Sequence, residues 1–170
     1  EYDRIISGDT AFYKCKSLHS INLPSSLKII SNNVFRDCSS LVSCTLGKSI
    51  SVIGSNAFQD CINLSSITLP ASIQSIRGGA FFNCSSLRQV DLPSSISKIE
   101  DYTFCGCKNL MSISIPNTIY SIGDGAFGEC PSLTTLNIPK SVFTMGDILS
   151  YQKNNLTSIY ILAKNPPNLS

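Results

Sequence analysis

Ala57-Phe58-Gln59-Asp60-Cys61-Ile62-Asn63-Leu64-Ser65-Ser66-Ile67-Thr68-Leu69-Pro70-Ala71-Ser72-Ile73-Gln74-Ser75-Ile76-Arg77-Gly78-Gly79 is one period of this chain. Phenylalanine recurs at Phe12, Phe35, Phe58, Phe81, Phe104 and Phe127, each 23 residues after the last. Cysteine keeps the same step at Cys15, Cys38, Cys61, Cys84, Cys107 and Cys130. Leucine follows at Leu18, Leu41, Leu64, Leu87, Leu110, Leu133 and Leu156, with no insertion or deletion between. A fixed internal period outranks every local signal, because it states that one structural unit is stacked on copies of itself.

Within the period, Leu64-Ser65-Ser66-Ile67-Thr68-Leu69 ends in alternation, apolar at 67 and 69 and polar at 66 and 68. That period of two predicts a strand with one face buried. Pro70 follows, as Pro24, Pro93, Pro116 and Pro139 do in other periods, with Gly47 taking that place in the second. Proline offers no N–H to a ladder and marks the strand's end. Ser72-Ile73-Gln74-Ser75-Ile76 supplies a second short apolar pair, expected as another small strand or extended edge. Gly54-Ser55-Asn56-Ala57-Phe58-Gln59-Asp60-Cys61 predicts one capped helical turn. There Asn56 stands before the apolar pair as the cap, and Ala57, Phe58 and Cys61 bury one side.

One such unit buries little alone, so its apolar positions must be covered by the coils on either side. At a strand spacing of ~4.8 Å per coil, six to seven coils make a rod or shallow arc ~30 Å long. A single domain over residues 1–170 is expected, with about six full repeats from Gly8 to Met145 and a divergent seventh coil from Gly146 to Ser170.

The 170 residues are 42% hydrophobic, enough for a sizeable core, and only 14% charged. Net charge is +2 and the basic residues are scattered, with no Lys/Arg run or stripe. This argues against nucleic acid or an anionic membrane as the main partner. No apolar run approaches the ~18 residues of a membrane span. Glu1-Tyr2-Asp3-Arg4 begins part-way into a coil, so the sequence reads as a fragment and its lack of a leader says nothing about secretion.

Eight cysteines invite a disulfide or a zinc reading. Six of them share one repeat position and would form an inward ladder. Parallel stacking aims those side chains the same way, whereas a disulfide needs them to face each other. Zinc needs four ligands that converge, and a straight ladder does not converge. Buried free thiols, packing as small hydrophobes, are the expectation. Cys44 replaces the usual Ile at an inward strand position, and Cys105, beside Phe104, is expected to be partly exposed.

Leu64-x-x-Ile67-x-Leu69 matches the leucine-rich-repeat strand pattern L-x-x-L-x-L. The whole unit, with A-F-x-x-C before the strand and L-P-x-S-I-x-x-I-G after it, resembles the BspA-like leucine-rich repeats. These occur in surface proteins of host-associated bacteria and some protozoan parasites. The resemblance runs from about Gly8 to Leu162, and the closing Ile159-Tyr160-Ile161-Leu162-Ala163-Lys164-Asn165-Pro166-Pro167 looks like the strand and turn that follow such arrays. It implies a right-handed superhelix, mainly short parallel strands, with short helical or 3-10 turns on the convex side. It also implies a cell-surface or secreted location, adhesion, and host matrix or surface proteins as partners. Two departures stand out. The position three residues after the last strand Leu, usually Asn or Cys, carries Ser26, Ser49, Ser72, Ser95, Thr118 and Ser141, expected as a hydroxyl ladder that supports the backbone. In the seventh unit Ser150 replaces Phe and Lys153 replaces Cys, which predicts a distorted coil or a cap.

In leucine-rich repeats the non-consensus strand residues line the concave face. Here most are small and hydroxylic. Arg88, Gln89 and Asp91 form the one charged rung, with Met111 beside it and Tyr160 further along. Binding hot spots favour aromatic residues and Arg, which makes these five the candidate binding residues. The plainer alternative is that they are ordinary solvated strand residues. Tyr120 and Phe143 fall on the second short edge, either exposed or packed against neighbouring coils.

Catalysis has little to stand on. His19 is the sole histidine, with no matched nucleophile and no carboxylate at a telling spacing. No phosphate loop, EF-hand or zinc pattern is present, so neither metal nor cofactor is expected. The leading reading is a non-catalytic interaction module that binds host or neighbouring-cell macromolecules. Its rival is a structural spacer of a larger surface protein with no ligand of its own. Glycan is a further ligand class, although it favours exposed aromatic platforms and the chain has no Trp.

Overall fold

The computed structural model describes residues 5–6, 8–150, 154–162 and 168–169. The alternating centre of each period forms a first row of strands: β2 (Ser20–Asn22), β4 (Ser43–Thr45), β7 (Gln89–Asp91), β9 (Ser112–Ser114), β11 (Thr135–Ile138) and β13 (Ser158–Ile161). The second apolar pair forms another row: β1 (Ile5–Ile6), β3 (Ile29–Ile30), β5 (Val52–Ile53), β6 (Ser75–Ile76), β8 (Lys98–Ile99), β10 (Ser121–Ile122), β12 (Thr144–Met145) and β14 (Asn168–Leu169). Recorded pairings are all parallel, and Gln89 faces Ser112 just as Ser121 faces Thr144, one period on. The protein is a parallel β-solenoid with a coil spacing of 23 residues.

Neither row is unbroken. In the first, β2 pairs β4, β7 pairs β9 and β11 pairs β13, and Ser66 makes only an isolated bridge to Ser43. In the second, one sheet runs β1-β3-β5-β6 and another β8-β10-β12-β14. A seam therefore lies between Ser75–Ile76 and Lys98–Ile99.

Inside, the repeat residues make continuous stacks. The rings of Phe12 through Phe127 lie nearly parallel with centroids 5.2 to 6.1 Å apart. Offset aromatic stacking of this kind adds to the burial of each ring. Leu41, Leu64, Leu87, Leu110, Ile30, Ile53, Ile73 and Ile119 complete a single apolar cluster that reaches from Phe12 to Leu156.

The segment expected as a capped helical turn is built differently. Ala57, Gln59 and Cys61 each donate an N–H to the carbonyl three residues back. Between them, Asn56, Phe58 and Asp60 donate theirs to Gly78, Ala80 and Phe82 of the next coil at 3.1, 2.8 and 2.9 Å. A helix would turn every N–H inward along its own axis, and here alternate N–H groups point across to the neighbouring coil. What prevents the helix is a left-handed residue at both ends: Asn56 at φ 56° and Asp60 at φ 60°. Asn and Asp tolerate that region. Asn56 is therefore a turn residue and not a helix cap.

The hydroxyl ladder is present from the third coil onward. Ser72, Thr118 and Ser141 donate to the carbonyls of Ile50, Ile96 and Ile119 at 2.6 to 2.8 Å, and Ser95 donates to Ile73 in the same way. At the divergent end, Ser150 turns its hydroxyl onto the Asp147 carbonyl at 2.8 Å, and Asn154 Oδ1 accepts the Cys130 N–H at 2.9 Å. Lys153 lies outside the described residues.

Candidate interaction surface

The two rows set which side chains reach solvent. In β7, Val90 points into the core at 1% exposure while Gln89 and Asp91 point out. Arg88, just before the strand, is also exposed, and its carbonyl accepts the Met111 N–H at 2.9 Å. That bond sets Arg88 and Met111 side by side in one row, with Met111 59% exposed. The charged rung is organised internally by Gln89, whose amide Nε2 donates to both Asp91 oxygens at 3.2 and 3.4 Å. The two ion pairs among the described residues are Arg36–Asp37 and Arg77–Glu100, so the Arg88 guanidinium faces solvent without a carboxylate.

Tyr160 does not join that rung. It pairs in register with Asn137, on the row that carries Asp91 and Ser114. Three coils at ~4.8 Å each place it ~14 Å beyond Asp91. Beside it on the same strand and just after it, Ile159, Ile161 and Leu162 are 43%, 45% and 63% exposed. Of the five residues singled out from the sequence, four form one patch and the fifth stands apart.

The aromatic residues of the second row are exposed, Tyr120 at 43% and Phe143 at 66%, one coil apart. Lys98 Nζ lies 5.4 Å from the Tyr120 ring centroid. Sequence reasoning missed a pair of adjoining depressions that share Gly78 and Asp101, the first also lined by Gly79, with volumes of about 330 and 310 Å³. The signal was available: the preceding coil has Ser55-Asn56 in that place and the following one Asp101-Tyr102.

The thiols are free, and seven of the eight are buried, with Cys15 half-buried. Cys105, expected to be partly exposed, is buried at 2% because its side chain tucks against the bare face of Gly128 one coil on. Desolvation pushes the Cys105 thiol up to about 11 and the Cys44 thiol up to about 12. Neither is a poised nucleophile. Among the described residues no three His, Cys, Asp or Glu side chains group to hold a metal ion, and no helix is long and apolar enough to cross a membrane.

With the stacked periods and their solvent-facing rows in place, the family model for the BspA type leucine-rich-repeat region matches residues 5–110 and 80–166, in six copies. The chain belongs to this family. Among solved structures, it is similar to a leucine-rich cell-surface protein from Faecalibacterium prausnitzii, with a TM-score of 0.78 and 26% identity over 88% of this chain and 40% of that one. A leucine-rich-repeat protein from Bacteroides ovatus matches with a TM-score of 0.65 and 26% identity, over 90% of this chain and 48% of the other. The leucine-rich-repeat protein of T. pallidum is 30% identical, with a TM-score of 0.61, over 73% of this chain and 69% of its own. The BspA-type chain described here thus spans less than half the length of the first two. Comparison with curated proteins gives no match.

Proposed function

We propose that this BspA-type chain is a single-domain, non-catalytic interaction module of a cell-surface or secreted protein, which adheres to host or neighbouring-cell proteins through the face of its first strand row. The observation that carries the reading is the Arg88, Gln89, Asp91 and Met111 patch. It is the charged break in an otherwise small and hydroxylic row, and it sets an unpaired guanidinium beside an exposed thioether. Arg and Met are enriched at interface cores, and an Arg with no intramolecular carboxylate is available to a partner's. The surface location draws on the name of the F. prausnitzii relative. Tyr160, on the same face, serves as a second and separate contact.

The test immobilises the protein against fibronectin, laminin, collagen and a panel of glycans. The expected result is micromolar binding to at least one protein, weakened about tenfold or more by Arg88→Ala, as for a hot-spot side chain. No binding of any partner at micromolar protein would favour the spacer, in which the rung is ordinary solvated strand.

A further inference from the structure

The column of residues that opens each first-row strand is continuous from His19 to Met111. Val42 donates its N–H to His19 at 2.9 Å, Ser65 to Val42 at 3.4 Å, Arg88 to Ser65 at 3.3 Å and Met111 to Arg88 at 2.9 Å. Val42 and Met111 are the large apolar side chains that this column exposes among the described residues, at 45% and 59%. Between them stand Ser65, small and half-buried, and the exposed Arg88. Read along the stack, the strip is apolar, small, cationic and apolar. A single exposed apolar residue is ordinary on a protein surface. Here two of them bracket a guanidinium that no carboxylate among the described residues neutralises.

Spacing along this strip selects the conformation of a ligand. At ~4.8 Å per coil, Val42 and Met111 lie ~14 Å apart, with Arg88 ~10 Å from Val42. An extended chain repeats its side chains on one face every ~6.8 Å, so residues i and i+4 span the same ~14 Å. Residue i+2 then falls between Ser65 and Arg88, within reach of the long Arg88 side chain. A helix returns a side chain to the same face at ~10 or ~16 Å and does not match. Charge selects the middle residue. Asp91 lies three residues beyond Arg88, about 10 Å along the strand, and is engaged by the Gln89 amide. Lys108, exposed, precedes Met111 by three residues, on the side away from Asp91. A carboxylate is thus attracted over the Val42–Met111 column and repelled from the Asp91 side.

Given the first-row patch as the interaction face, on which this assignment rests, we propose that the column from Val42 to Met111 takes an extended acidic segment of a protein partner. The segment lies along the stack with an Asp or Glu over Arg88 and an apolar side chain two residues to either side. One apolar side chain packs on Val42 and the other on Met111, whose flexible thioether adapts to its shape. The guanidinium offers the carboxylate two parallel N–H donors.

Methyl NMR on the intact protein tests this. Methionine labelled with carbon-13 at the methyl group gives two signals, and Met145, partly buried and in the second row, is the internal control. The probe is a blocked peptide of glycine and serine carrying leucine, serine, glutamate, serine and leucine at its centre. Its counterparts replace the glutamate by lysine, or both leucines by serine. The glutamate peptide should shift the Met111 signal saturably and leave Met145 in place. The lysine peptide should not, and the peptide without leucines should bind clearly more weakly. Arg88→Gln should weaken the glutamate peptide about tenfold, as for a hydrogen bond to a charged group. Val42→Ser, at the far end of the strip, should weaken it about threefold or more by removing apolar contact. No shift of Met111 with folded protein, an equal response to the lysine peptide, or a response that survives Arg88→Gln would overturn the proposal. If the peptide fails while Arg88→Ala still weakens an immobilised protein partner, the interaction module stands and only its ligand chemistry falls. If Arg88→Ala leaves every such partner unaffected, both fall.

Discussion

The Cys61 thiol donates a hydrogen bond to the carbonyl oxygen of Phe35, 3.1 Å away and one coil earlier. The same carbonyl accepts the Cys38 N–H at 3.1 Å, so both of its lone pairs are used. Cys38, Cys84, Cys107 and Cys130 repeat the contact with Phe12, Phe58, Phe81 and Phe104 at 3.0 to 3.3 Å. The cysteine ladder is therefore more than apolar filling. It is a row of protonated donors, and a thiolate in any rung would present an unpaired charge to a carbonyl oxygen.

Stability should consequently fall in alkali. Burial pushes the thiols of Cys38 and Cys105 up to about 11 and those of Cys44 and Cys130 up to about 12, and it raises Cys61, Cys84 and Cys107 as well. In the unfolded chain the same groups titrate near ~8.5. Above that pH the unfolded state has lost protons that the native state retains, so the slope of stability against pH is negative. The stabilisation is complete below about pH 8.5 and is lost as pH rises towards the native values. Urea midpoints measured across that window should decline steadily. At pH 8 a thiol reagent should find two or fewer fast-reacting groups in the native protein, and six or more would show the ladder to be accessible.

Phe81 stacks on Phe58 at 5.5 Å and on Phe104 at 5.6 Å and is fully buried. Phe81→Ala should cost about 3–5 kcal/mol. Phe12, half-buried and stacked on Phe35 alone, should cost clearly less when truncated. Chemical denaturation of the two variants compares them, and equal losses would contradict the stack as described.

Gly125 sits at φ +60° with the Tyr102 ring 2.4 Å from where a Cβ would be placed. Gly125→Ala meets both a disfavoured backbone region and a clash, so a loss of more than about 1 kcal/mol is expected. Gly8 has its nearest neighbour at 3.8 Å and no positive φ, so Gly8→Ala should be close to neutral, and thermal melts of the two variants compare them.

Arg88→Ala and Met111→Ala remove exposed side chains that support nothing in the core. Each should shift stability by no more than about 0.5 kcal/mol. A larger loss for Arg88→Ala would assign the residue to the scaffold and remove it as a binding candidate.

Much of this molecule could be read from the period alone. Phe58, Cys61, Leu64, Ile67 and Ile73 are buried in the structure as their recurrence required, because stacked identical units leave an inward position nowhere else to go. The turn was less legible. Asn56 has the same letter whether it caps a helix or holds a left-handed φ, and only the destination of its N–H, the Gly78 carbonyl of the next coil, separates the two. The tucked position of Cys105 depends on Gly128 having no side chain, a contact 23 residues away. The groove at Gly78 and Gly79 escaped notice for a related reason. It is defined by atoms that are missing from one coil, and a reading that looks for informative side chains passes over their absence. The grouping of Arg88, Gln89, Asp91 and Met111 was legible, since strand register alone brings them together. The separation of Tyr160 follows from the same register.

Because the N–H groups of Asn56, Phe58 and Asp60 reach along the stack to the following coil, as their counterparts do in other periods, neighbouring coils are fastened mainly by bonds parallel to the rod. A pull on the two ends loads those bonds as a zipper and not in shear, so tension concentrates on the outermost interface. The rod should then peel from one end, one coil per rupture. Each event would release 23 residues, a gain in contour of about 75 Å once the coil spacing is subtracted. Held under tension at both ends, the chain lengthens in equal steps while its remaining coils stay folded.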